Sequence, residues 1–185
     1  MGKAATLTGA DPYPGLREVE DHRGVNSSGG PAAPYLTGLR LSGRRVVVVG
    51  GGQVAARRVP RLLAAGALVS VVAPHVAPSI ARSAAADELV WLRRPFLPGD
   101  LDGAWYVLAA TDDADANRAV SAEAEQLRVF CVRADRADEA TAWTPATGEV
   151  DGVQVAVLAG RRPREAARVR DLLVDVLARL RRRAA

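Results

Sequence analysis

Four valines run straight into three glycines in the stretch Arg45-Val46-Val47-Val48-Val49-Gly50-Gly51-Gly52-Gln53-Val54-Ala55. Gly50, Gly52 and Ala55 stand at the spacing G-x-G-x-x-A, which suits one chemistry above others: gripping the pyrophosphate of a dinucleotide. The first glycine permits a tight turn. The second lacks a Cβ, so the backbone can approach a phosphate. A small residue at the third place lets the following helix pack close to its strand. The phosphates then meet free N–H groups and the positive dipole end of that helix. A second candidate is Asp135, just past the apolar run Val129-Phe130-Cys131-Val132. A carboxylate in a partly dry cleft can act as a base; it can also merely cap a turn.

These residues need elements to position them. The run 44–50 reads as a buried strand, and Val54, Ala55, Val59, Leu62 and Leu63 recur at helical spacing after it. Gly66 reads as that helix's C-cap, and Pro60 as a potential kink within it. Further strands are predicted at Leu68–Ala73, Leu89–Leu92, Ala104–Ala110 and Arg128–Arg133. Helices fall at Pro78–Ala86 and Ala114–Gln126, the second opened by the turn Thr111-Asp112-Asp113. Such alternation predicts an α/β fold with a Rossmann-type, doubly wound parallel sheet.

After Asp135 the character changes. Thr141–Thr144 and Val153–Val157 read as strands joined by a Gly-rich turn over 147–152. The stretch 163–183 reads as an amphipathic helix, with Ala166, Val169, Leu172, Leu173, Val176, Leu177 and Leu180 on one stripe. One hairpin and one helix do not easily bury a core alone, so a second copy of the chain is expected against this small α+β segment. The division is then a disordered, Gly/Pro/Ser-rich extension over 1–34, a dinucleotide-binding domain over 35–140, and a dimerisation segment over 141–185.

Composition narrows the partners. Net charge is +4 and almost all of it is arginine, which favours an acidic substrate. No nucleic-acid motif or lysine tract appears, so nucleic acid is not expected. Cys131 is the single cysteine and reads as a small buried hydrophobe. His22 and His75 lack a second ligand at metal-site spacing, so no metal site is expected. No apolar stretch reaches membrane-spanning length and no signal peptide is visible, so a cytoplasmic protein without membrane contact is expected.

With these motifs in order, the sequence resembles the precorrin-2 dehydrogenase family, the N-terminal module of siroheme synthases. The resemblance rests on Leu39–Ala55, Leu62–Gly66, Ala109-Ala110-Thr111-Asp112-Asp113, Phe130–Asp135, Thr141–Pro145 and Val155-Ala156-Val157. It implies an enzyme that oxidises precorrin-2 to sirohydrochlorin with NAD, in siroheme and related tetrapyrrole synthesis. Some members also insert ferrous iron. It implies a homodimer joined through the C-terminal part, with the substrate in the cleft beside the Rossmann domain.

Roles carry over by position. Gln53 and Val54 match backbone contacts to the cofactor, and Pro74 and His75 match contacts on the adenosine side. Thr111 and Asp112 should border the nicotinamide side of the crevice. Asp135 matches the family's essential aspartate. The substrate is a polycarboxylate, which arginine can pair with in bidentate fashion; the candidates are Arg133, Arg136, Arg161, Arg162 and Arg164.

The sequence also departs from the family. Val72-Ala73-Pro74-His75 offers neither an acid for a ribose nor an arginine for a 2′-phosphate, so the residues themselves leave NAD and NADP open. Gly160-Arg161-Arg162-Pro163 replaces a Ser/Thr-Gly-Gly loop, which bears more on chelatase than on dehydrogenase activity. Relatives continue with further helices or a methyltransferase domain, so the chain is either a short member or a piece of a fusion. A Rossmann module that binds NAD or a tetrapyrrole without reacting is the alternative reading.

Overall fold

A computed structural model describes residues 33–160 and 162–184, the side chains of 183 and 184 excepted. The extension expected to be disordered therefore lies, through residue 32, outside the described residues, and so does Arg161. Residues 33–40 are exposed and irregular, and Leu41 is the first buried side chain.

Five parallel strands form the sheet: β1 (Arg45–Val49), β2 (Leu68–Val72), β3 (Val90–Leu92), β4 (Tyr106–Ala109) and β5 (Phe130–Arg133). Their order is β3-β2-β1-β4-β5. Helices α1 (Gln53–Ala64) and α2 (Pro78–Ala85) cover one face, and α3 (Ala114–Gln126) covers the other. A strand covered on both faces must be apolar throughout. Accordingly Val46 and Val48 pack against Ala55, Val59 and Ile80, while Val47 and Val49 pack towards Val120 and Ala124. The fold is thus a doubly wound parallel α/β sheet, as the alternation predicts.

Local chemistry sets the helix ends. α1 runs unbroken through Pro60. It closes with Gly66 in the left-handed region (φ +74°), where Gly66 N–H donates to Leu63 O (2.8 Å) and Ala67 N–H to Leu62 O (3.1 Å). This is a Schellman motif with glycine at the position that requires positive φ. At its start α3 is capped by Asp113, whose carboxylate accepts from the N–H groups of Asp115 (2.8 Å) and Ala116 (3.1 Å).

The segment after β5 differs from the sequence expectation. A 3₁₀ turn, Ala137–Glu139, is followed by an irregular stretch, and Thr141–Thr144 forms no strand. These residues bond sideways instead. Cys131 N–H donates to Thr141 Oγ1 (2.8 Å), and the N–H groups of Thr141 and Ala142 both donate to Cys131 O (3.1 Å). The supposed turn is largely strand: β6 is Ala146–Val150, antiparallel to β7, Val153–Val157. The real turn is Asp151-Gly152, with φ of +47° and +78°. Positive φ at both central residues is the geometry that matches strand twist in a two-residue hairpin, and Asp-Gly is its common sequence.

Gly148 sits in mid-strand because α4 (Pro163–Ala184) crosses it. A Cβ there would lie 2.4 Å from Val174 Cγ2 and 3.0 Å from Arg170 Cδ. Valine is stiff at χ1 and gives little way. Gly148→Ala should therefore destabilise the hairpin–helix unit by roughly 1–3 kcal/mol. Adding Val174→Ala should restore most of it. Hydrogen exchange of α4 amides reads both variants, and unchanged protection in Gly148→Ala would contradict the close packing.

Candidate functional site

The strand order reverses between β1 and β4, and a crevice for ligands opens beyond the carboxyl ends of strands at such a point. Three consecutive glycines meet it differently. Gly50 has φ +110°, and a Cβ on it would lie 2.3 Å from the carbonyl oxygen of Ala110. A Cβ on Gly51 would lie 2.2 Å from the carbonyl oxygen of His75. Gly51 O also accepts from Ala77 N–H (2.7 Å), which ties the turn to the loop after β2. A Cβ on Gly52 would meet nothing within 4 Å. So the first two glycines serve close backbone packing, and the third leaves open space.

Gly52 is also the N-cap of α1. No side chain caps this helix, and no acidic residue lies in its first turn. Its leading N–H groups, on Gln53, Val54 and Ala55, have no partner within the helix. The open cradle and the uncapped positive helix end together fit a pyrophosphate. Pro74 and His75 are exposed directly after β2, within backbone contact of Gly51.

The far side of the crevice rests on Asn117, which sequence reasoning missed. It is fully buried on α3. Its Nδ2 donates to Thr111 O (2.9 Å) and its Oδ1 accepts from Thr111 N–H (3.1 Å). The Thr111 hydroxyl has one proton and two acceptors in reach, Asp113 O (2.8 Å) and Asn117 Oδ1 (2.9 Å). One amide thus pins the loop after β4 to α3. Asn117 also helps keep the Asp135 carboxyl in its charged form. The available signal was an asparagine at helical spacing with buried Val120 and Ala124. Asp112 is exposed on the same loop.

Asp135 lies two residues past β5, its side chain about a quarter exposed. Arg133 grips it with both arms: Nη2 to Oδ2 at 2.7 Å and Nε to Oδ1 at 3.2 Å. Arg133 Nη1 bonds Glu139, which also pairs with Arg136 (2.9 Å). The hydrogen bonds from Arg133, aided by that positive charge and by Asn117, hold the Asp135 carboxyl below the usual carboxylate range, against the opposing effect of burial. With the folded value below the unfolded one, this pairing contributes stability at neutral pH and loses it as pH falls through the acidic range. Asp100, gripped by Arg94 at 2.6 Å, follows the same sign.

The arginines expected to meet a substrate are not alike. Arg133 is 4% exposed and wholly engaged inside the protein, so it is not open to a ligand. The physical reason is its place at the end of β5, on the α3 face with Cys131, where Asp135 and Glu139 take up its guanidinium. Arg136 and Arg162 are exposed and paired with Glu139 and Glu165. Arg164 is exposed at the start of α4. Cys131 is fully buried, and burial pushes its thiol up to about 11, which keeps it protonated. Among the described residues no group of three His, Cys, Asp or Glu is placed to hold a metal ion, and no helix is long and apolar enough to cross a membrane.

A reversal point flanked by a glycine turn and an uncapped helix defines a dinucleotide-binding protein of the Rossmann type. A family model described as putative NAD(P)-binding matches residues 38–146, and the chain belongs to that family. It is similar to the siroheme synthase of Chromobacterium violaceum, 43% identical over 122 residues, covering 66% of this chain and 26% of that protein. It is 38% identical over 140 residues to the siroheme synthase of Photorhabdus laumondii, covering 75% of this chain and 30% of that one. The chain therefore spans about a quarter of the length of the curated relatives it matches. A solved structure of SirC, a precorrin-2 dehydrogenase, superposes with a TM-score of 0.67 at 28% identity, over 77% of this chain and 70% of that one. The resemblance drawn from the sequence motifs is borne out by these relatives.

Proposed function

We propose that the chain oxidises precorrin-2 to sirohydrochlorin with NAD, in siroheme or related tetrapyrrole synthesis, as a cytoplasmic homodimer. The observation that carries the reading is the pairing of an open phosphate cradle at Gly52 with a carboxylate, Asp135, held beyond the neighbouring strand ends. Similarity to a precorrin-2 dehydrogenase supports the substrate class.

In this reading the backbone of Gly50–Ala55 binds the pyrophosphate and the loop at Pro74–His75 lies on the adenosine side. Thr111 and Asp112 border the nicotinamide side. NAD, when bound, supplies the hydride acceptor. Loss of hydride leaves positive charge on the macrocycle until a proton follows. Asp135 places a fixed negative charge beside it. Its grip by Arg133 makes it a weak proton acceptor, so it acts as an electrostatic stabiliser and the proton leaves to water. This revises the general base expected from the sequence. Substrate carboxylates would meet Arg136, Arg162 and Arg164 rather than Arg133.

The dimer is supported by α4. Val169, Leu172, Leu173, Val176 and Leu180 recur on one helix face with 39–63% exposure, while Val174 and Arg170 pack on the hairpin. Such an unbroken apolar stripe suits burial against another copy. Sedimentation showing only monomer at micromolar concentration would remove the dimer. For the activity, anaerobic incubation with precorrin-2 and NAD should produce NADH absorbance well above the spontaneous rate. Saturable NAD binding with no NADH formed would overturn the enzyme and favour a non-catalytic module.

A further inference from the structure

We propose that Arg133 is a positioning residue for Asp135: it fixes the plane of the carboxylate and leaves only its exposed edge for the substrate. The inference rests on the reading of Asp135 given above. Three observations carry it. Both carboxylate oxygens accept from the same guanidinium, at 2.7 and 3.2 Å. The Arg133 side chain is only 2% exposed, so neither solvent nor a ligand competes for it. Its remaining arm is anchored by Glu139, which stops the guanidinium rotating away.

The arrangement is more than a surface ion pair. A two-armed grip restricts orientation as well as distance. A carboxylate bonded this way keeps its charge to lower pH than a free one, and the Arg133 grip holds Asp135 below the usual carboxylate range. The groups facing it are Arg133 and Cys131 from β5, Asn117 from α3, and Glu139 with Arg136 from the 3₁₀ turn. Glu139 carries the opposite charge to the one Asp135 needs, and Arg136 offsets it at 2.9 Å. Cys131 stays protonated and uncharged. Arg133 is thus the only cation in direct contact with Asp135 among the described residues.

The test compares Arg133→Lys, Arg133→Met and Asp135→Asn in the full chain. NAD affinity and near-ultraviolet circular dichroism serve as checks on folding. Arg133→Met should lower kcat about tenfold or more with KM for NAD unchanged. Its acid limb should move up by about one pH unit or more as Asp135 loses its cation. Arg133→Lys keeps the charge but not the two-armed geometry, and should recover the pH profile while leaving kcat low. Unchanged kcat and pH profile in folded Arg133→Met, with Asp135→Asn inactive, would overturn the positioning role alone. A fully active Asp135→Asn would overturn the underlying reading instead. If the arginine variants do not fold, carbon-detected NMR titration of the wild-type carboxyls decides. The resonance lost in Asp135→Asn should titrate below the free-aspartate value of about 3.9, and a midpoint at or above it would refute the proposal.

Discussion

Asp135→Asn is expected to keep the fold and NAD affinity and to lower kcat by about a hundredfold or more. The substitution is nearly isosteric; it removes the negative charge and turns one of the two acceptor oxygens into a donor. Arg133 can still donate to the amide oxygen with one arm, while the other now faces an amide NH2, also a donor, and Glu139 keeps the guanidinium in place. What is lost is stabilisation of charge that exists only while the macrocycle is being oxidised. The KM-against-kcat split checks this. Loss confined to kcat matches an interaction made in the transition state. A rise in the KM for precorrin-2 at constant kcat would instead make Asp135 a simple binding group. Some thermal stability should be lost at neutral pH, because a buried arginine loses its best partner, and that loss should shrink at acidic pH where the wild-type pairing also fails.

Gly52→Asp should abolish NAD binding, weakening it about a hundredfold or more, while leaving thermal stability equal or slightly higher. Gly52 has φ −75°, which any residue adopts, and a Cβ there meets nothing. An aspartate at this N-cap can accept from the first N–H groups of α1, an interaction worth a few tenths of a kcal/mol over glycine. The same carboxylate would occupy the phosphate's place and repel it. Gly51→Ala should do the reverse in kind. Its Cβ would drive into the His75 carbonyl, and the cost, roughly 3 kcal/mol, falls on the fold. Calorimetric NAD titration beside a melting curve separates the two. A stable Gly52→Asp that binds NAD like the wild type would refute the cradle.

Much of the architecture was legible because its signals are local. Gly66 requires positive φ, Asp113 caps α3, and Pro163 opens α4, so those helix limits follow from single residues. Strand β6 was not legible. Gly148 and Glu149 have weak strand preference, and Gly148 is explained only by α4 passing over it. The stretch 147–152 reads as one long turn, whereas the turn is confined to its last two residues, Asp151-Gly152, a common hairpin pair. At the candidate site, the glycine motif pointed to the right turn but not to the division of labour among its three glycines. That division depends on the Ala110 and His75 backbones, which approach from distant parts of the chain. The pairing of Arg133 with Asp135 was hidden because charge alone suggested a solvent-facing arginine, whereas the chain after β5 folds back so that Asp135 and Glu139 enclose it.

The bond from Ala77 to Gly51, and the press of Ala110 against Gly50, have a kinetic consequence. Most flexible loops must be ordered by the ligand they receive, and that ordering weakens affinity and slows capture. Here the bend is clamped from both sides by neighbouring main chain before any nucleotide arrives. Association can therefore proceed in a single encounter step, with the rate linear in nucleotide concentration and no slow isomerisation behind it.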